Sequence, residues 1–121
     1  MKLHTIALSA ALLAAACAPE HSARQSLDWD GSYFGTLQCK HGLTDTRLTL
    51  SEDGTYHMWT MHKGDPLSTN REEGRFSWDW AGNEITLRDG GKPKRYHVTE
   101  NALEVLNKKG KKREGAVLIK K

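Results

Sequence analysis

Two methionines and two histidines fall within six residues, His57-Met58-Trp59-Thr60-Met61-His62, the most unusual composition in the chain. Thioether and imidazole donors, joined by a thiolate, suit the soft and low-coordinate preferences of Cu(I). Along a strand successive side chains point to opposite faces, so Met58 and His62 share one face while His57 and Met61 share the other. This strand by itself therefore cannot converge four ligands. A Cu(I) site needs donors from another element, and Cys39 and His41 are the natural ones. The candidate metal set is thus Cys39, His41, Met58, Met61 and His62. A plainer reading stands beside it, in which Met58 or Met61 fills core gaps and the histidines face solvent.

No catalytic constellation accompanies these residues. The chain has no Ser-His-Asp spacing signature, no His-Glu-x-x-His and no phosphate-cradling glycine loop, so it reads as non-enzymatic. Asp28, Asp30 and Asp79 could pair as acid and base, but each sits beside a tryptophan in a pattern better explained as strand-edge solvation. Four tryptophans, at 29, 59, 78 and 80, have two readings. Trp78 and Trp80 share a face and supply the large side chains a small core needs. Alternatively the tryptophans line a barrel mouth and hold an acyl or other apolar ligand.

The start of the chain fixes the compartment. Met1–Ala16 carries Lys2 and then an almost unbroken apolar stretch from Ile6, too short to span a membrane and right for a secretory leader. It ends Leu13-Ala14-Ala15-Ala16-Cys17, which looks like a bacterial lipobox with Cys17 as the acylated residue. The same small residues suit ordinary signal cleavage, which would leave Cys17 a free thiol. On the lipobox reading residues 1–16 are signal peptide and residues 17–28 a lipidated N-terminus and tether. Ala18 follows where inner-membrane retention would call for an acidic residue, so the expected location is the outer membrane, facing the periplasm. Three acyl chains, at ~0.8 kcal/mol per buried CH₂, anchor such a protein firmly. Cys39 is then the remaining cysteine, with no intramolecular partner, and the domain folds without a disulfide.

The full chain is 121 residues, one domain's worth. No internal run approaches the ~20 apolar residues of a spanning helix, which excludes a polytopic helical membrane protein. Charge is polarised. Cys17–Gly91 holds seven Lys/Arg and twelve Asp/Glu, whereas Lys92–Lys121 holds ten and three. That contrast could orient the molecule at an anionic membrane or glycan surface. Equally, Lys108-Lys109-Gly110-Lys111-Lys112-Arg113 is a solvated hairpin turn. A secreted protein with this leader is not expected to meet nucleic acid.

From Trp29 onward the pattern has period two. Tyr33, Gly35 and Leu37 alternate with Ser32, Phe34 and Thr36, and Leu48 and Leu50 with Arg47 and Thr49. Glu52-Asp53-Gly54 signals a hairpin, because Asp-Gly tolerates the positive φ of a tight turn. Strands are expected over Thr55–His62, Gly74–Trp80, Glu84–Arg88, Tyr96–Thr99, Ala102–Leu106 and Ala116–Ile119. Apolar repeats of period 3.6 are missing after the leader, so no long helix is expected. The fold class is all-β, a small antiparallel meander barrel of 7–8 strands over residues 29–121.

The string Ser26-Leu27-Asp28-Trp29-Asp30-Gly31-Ser32-Tyr33-Phe34-Gly35-Thr36-Leu37-Gln38-Cys39 resembles the opening of the N-terminal domain of the NlpE family of copper-resistance lipoproteins. The likeness continues through Thr46–Tyr56, Gly74–Trp78, Gly82–Leu87 and Glu100–Leu103. It implies a lipocalin-like barrel, an outer-membrane lipid anchor, and roles in envelope-stress signalling and copper tolerance, with a signalling protein of the envelope as partner. One departure matters. The family places a Cys-x-x-Cys pair at Cys39 and three residues further on, but here the segment reads Cys39-Lys40-His41-Gly42, one residue shorter, with His41 near the missing cysteine's place. A dithiol function is therefore not carried over. Nor does the chain leave room for the second domain of longer members. Two rival readings remain open: a periplasmic carrier of a small lipophilic ligand, and an inhibitor of an envelope-targeting enzyme such as lysozyme.

Overall fold

The computed structural model describes residues 22–40, 42–88 and 91–121. The expected signal peptide, Cys17 and His41 lie outside the described residues. A four-residue helix α1 (Ala23–Ser26) precedes eight strands: β1 (Gly31–Cys39), β2 (Gly42–Leu50), β3 (Thr55–His62), β4 (Asn70–Trp78), β5 (Glu84–Leu87), β6 (Lys94–Thr99), β7 (Ala102–Leu106) and β8 (Lys112–Lys120). Each strand pairs antiparallel with the next, and β8 returns to β1 with Tyr33 opposite Lys120 and Phe34 opposite Ile119. The all-β meander barrel read from the sequence is the fold observed, with eight strands. Closure joins β1 to β8, so neither terminal strand is left as a free edge to template unwanted pairing.

The alternating pattern decides which side chains enter the barrel. Tyr33, Leu48, Leu50, Tyr56, Ile85, Leu87, Leu103 and Leu118 are all but fully buried. They cluster in the half of the barrel where β1 begins and β2 ends, so the apolar core fills that end. The Asp-Gly turn forms as expected. Gly54 takes φ +89°, and the Asp53 carboxylate accepts from the Thr55 amide at 3.0 Å and from its hydroxyl at 2.6 Å.

Two expectations need correction. The segment read as tether is packed from Ser22 onward. Ser22 and Ala23 are buried, Ser22 Oγ caps α1, and the Ala23 amide donates to Asn83 Oδ1 at 2.9 Å. A local tether reading failed because its partners, Gly82 and Asn83, lie some sixty residues away. Strand bounds also differ: β4 runs Asn70–Trp78 rather than Gly74–Trp80, and β8 runs Lys112–Lys120 rather than Ala116–Ile119. Asp79 Oδ1 accepts from the amides of Asn83 and Glu84 and turns the chain after Trp78, which leaves Trp80 78% exposed. Trp29, Phe76 and Trp78 instead meet edge-to-face, with ring centroids 5.3–6.3 Å apart, and close this end of the barrel.

Candidate functional site: the open end of the barrel

The opposite end is open. Here β1, β3 and β7 finish and β2, β6 and β8 begin, enclosing a cavity of about 410 Å³. Its apolar wall is Leu37, Met58, Val105 and Leu106. Threonines occupy inward positions here: Thr44 and Thr46 on β2, where the closed half has Leu48 and Leu50, and Thr60 on β3, where it has Tyr56. β-branched Thr suits a strand as well as Val does, so the change from β2's leucine half to its threonine half costs no strand propensity. It does place hydroxyls inside the barrel.

Three polar groups anchor the inner wall. Glu72 points inward from β4, accepts from the Tyr56 hydroxyl at 2.9 Å, and pairs with Lys94 Nζ at 3.4 Å. The Tyr96 hydroxyl donates to Met58 Sδ at 3.9 Å, a weak bond to a weak acceptor. Burial, and then the nearby Glu72 carboxylate, push the Tyr96 phenol far above its ordinary value, so it remains a hydrogen-bond donor at any physiological pH. Arg113 reaches back across the rim to give Gln38 O a bond of 2.7 Å. Arg113 sits where the ladder between β7 and β8 slips between Glu104 and Leu106, and Gly115 at φ +74° lies in the same irregular stretch of β8.

The sequence-derived metal set is only partly brought together. Cys39 is an exposed free thiol on the cavity rim, and Met58 is buried in the cavity wall. Met61 stands opposite Asp45 on the outer face, whose neighbour Thr36 donates to Asp45 at 2.7 Å. His62 shares the inward face with Met58 but lies at the exposed end of β3 and does not line the cavity. His57 faces out and meets Glu73 at 3.2 Å. Among the described residues no three His, Cys, Asp or Glu side chains gather as metal ligands. Two sulfur donors, Cys39 and Met58, are what the described residues offer a soft ion.

Other candidates fall elsewhere. None of the four tryptophans lines the cavity: Trp29 and Trp78 close the far end, Trp59 lies outside beneath Arg47, and Trp80 is in solvent. Asp79 serves its turn, and Asp28 Oδ2 lies 3.5 Å from Lys120 Nζ at the closed end. The basic run 108–113 is a hairpin turn held by Asn107, whose side chain accepts from the amides of Lys109 and Lys111. Its ends, Lys108 and Arg113, border the cavity. Sequence reading passed over Thr44, Thr46, Glu72, Lys94 and Tyr96. The signal was present as polar residues at inward positions of an alternating strand, but it becomes visible only once the register is known.

Comparison with known proteins agrees with this architecture. The family described as NlpE N-terminal domain matches residues 33–116. A crystal structure from Shewanella oneidensis, of a protein described as a candidate lipoprotein, is 33% identical. It aligns with a TM-score of 0.73 over 84% of this chain and 96% of its own. The structure of the Cpx pathway activator NlpE from Escherichia coli is 27% identical, with a TM-score of 0.61 over 71% of this chain. Less than half of that protein, 45%, is covered. No curated protein matches significantly.

Proposed function

The chain belongs to the NlpE family, and on that premise we propose that it is an envelope lipoprotein that works by binding and signalling rather than catalysis, with the open barrel end as its input site. The observation that carries this reading is the asymmetry of the barrel. One half is filled by fully buried side chains such as Tyr33, Leu48, Leu50 and Ile85, with Trp29, Phe76 and Trp78 packed against them, and the other opens into the cavity of about 410 Å³. A lipid anchor on Cys17, at the outer membrane, would join the chain at the sealed end, where Ser22 is docked. The mouth then faces away from the anchor, toward the periplasm and toward an envelope-stress signalling partner.

The test is a Cpx-pathway reporter in a Gram-negative host expressing the full chain, Cys17→Ser, or Thr60→Trp. Thr60 lines the cavity without belonging to the sealed core, so an indole there obstructs the mouth. Wild type should raise the reporter several-fold, and both variants should lose most of that rise while circular dichroism shows Thr60→Trp folded. A reporter indifferent to Thr60→Trp overturns the mouth as input site.

One observation favours copper tolerance as the biological setting: the Cys39 thiol and the Met58 thioether line the same cavity. Soft sulfur donors select Cu(I) over harder ions. Met61 and His62 have no part in this reduced site. Titration of Cu(I) against a competing chelator, with Cys39→Ser and Met58→Leu beside wild type, should give stoichiometric binding that either substitution weakens at least tenfold. Binding unchanged in both removes copper from this site.

A further inference from the structure

The cavity has the chemistry of a particular ligand class. Four basic residues, Lys94, Arg95, Lys108 and Arg113, are among those bordering it, and among the described residues no acidic one is. Arg95 is committed to Glu84 at 2.7 Å and Lys94 to Glu72, whereas Lys108 has no ion-pair partner among the described residues and Arg113 spends one donor on Gln38. The rim therefore carries positive charge that the fold does not neutralise. Below the rim the wall is apolar. Level with Leu37, its partner on β1, Thr44 is 8% exposed and its hydroxyl is buried with no hydrogen-bond partner. A buried hydroxyl left unpaired costs roughly 1–3 kcal/mol, so Thr44 is a polar defect in the wall rather than a group the cavity contents touch. Tyr96 presents a second hydroxyl whose partner is only a sulfur.

We propose that the open end of the barrel binds a single-chain acyl anion, its chain against Leu37, Met58, Val105 and Leu106 and its anionic head between Lys108 and Arg113. This deepens the binding reading above and rests on it for its biological sense. A methylene displaces about as much volume as a water in the liquid, roughly 30 Å³, so a chain of about ten carbons occupies about 300 Å³. That fits the cavity of about 410 Å³ and leaves space at the rim for the head group. A two-chain phospholipid is too large. A cationic amphiphile of equal length fills the same wall but meets Lys108 and Arg113 as like charges.

The test uses residues 18–121, which keep α1 and every strand of the closed barrel. Decanoate, below the concentration at which it self-associates, is titrated by calorimetry, with decyltrimethylammonium as the charge-reversed probe. One-to-one binding at least tenfold tighter for decanoate supports the proposal. Lys108→Gln with Arg113→Gln should erase that preference while leaving the chain contribution, and Thr60→Trp should abolish binding of both probes. Equal affinity for the two probes, or a preference that survives loss of both rim charges, overturns it. Decanoyl-lysophosphatidylglycerol in a parallel arm tells a free acid from a lysolipid: tighter binding assigns the head group to phosphate. Failure here is separable from failure of the sensing reading. If decanoate does not bind but Thr60→Trp still silences the reporter, the mouth is the input site for another ligand class. If decanoate binds and the reporter ignores Thr60→Trp, the ligand site stands and the sensing reading falls.

Discussion

A Cβ placed on Gly35 would stand 2.7 Å from the backbone carbonyl oxygen of Val117, so β1 and β8 approach each other across the barrel seam only because position 35 has no side chain. The same Cβ would meet Leu118 Cδ2 at 2.9 Å, and Leu118 is fully buried. Backbone cannot retreat without opening the ladder that joins Tyr33 to Lys120 and Phe34 to Ile119. Gly35→Ala should therefore lower stability by about 1–3 kcal/mol, the usual cost of overpacking a tight core, and Gly35→Val should cost more. Urea unfolding measures it, and an Ala variant as stable as wild type would show that the seam yields freely.

The pair formed by Glu72 and Lys94 is the polar joint between β4 and β6 inside the barrel, with the Glu72 side chain 14% exposed. Glu72→Ala strands the Lys94 ammonium and removes the acceptor of the Tyr56 hydroxyl, at an expected cost of about 1–3 kcal/mol. Adding Lys94→Met should recover part of that loss, since the two residues act as one unit. Strictly additive losses in the double variant would show that the two do not interact.

Acid unfolding should report the Asp53 turn. The Thr55 hydroxyl, then the Thr55 amide, hold the Asp53 carboxyl below its ordinary value of 3.8. A carboxyl depressed on folding contributes stability above its unfolded value and loses it as pH falls through the folded one. Below about pH 4, wild type should thus lose stability more steeply than Asp53→Asn, which keeps the acceptor oxygen but cannot titrate. Parallel curves for the two proteins would remove the turn from the acid limb.

The tryptophans should divide by position. Trp78→Ala breaks the edge-to-face contacts with Trp29 and Phe76 and is expected to cost about 3 kcal/mol. Trp80→Ala removes a side chain that lies in solvent and should stay within about 0.5 kcal/mol of wild type. Urea unfolding measures both, and a large loss at Trp80 would show that the indole packs against the barrel instead of lying in solvent.

Alternation of apolar and polar residues, punctuated by turns such as Glu52-Asp53-Gly54, determined by itself that the chain is an all-β meander, and it placed β3 and β7 to the residue. Period two is a local property, so it is legible without a partner strand. What the alternation could not say is which inward positions lie at the sealed end and which at the mouth. That depends on the register of eight strands, set by pairings such as Leu37 with Thr44 and Thr46 with Thr60. Alternation alone puts Met58 and Met61 on opposite faces, and closure of the barrel decided that Met58 lies in the wall while Met61 stands outside beside Asp45. It also gathered Thr44, Tyr96 and Arg113, drawn from three strands, around one cavity. Packing over long sequence separation likewise drew Ser22 and Ala23 onto Gly82 and Asn83, where composition alone indicated a tether. Side-chain type and spacing thus showed that the strands exist and in what order, pairing across the sheet extended β4 and β8 beyond the alternating core, and the closure of the barrel decided which residues share a site.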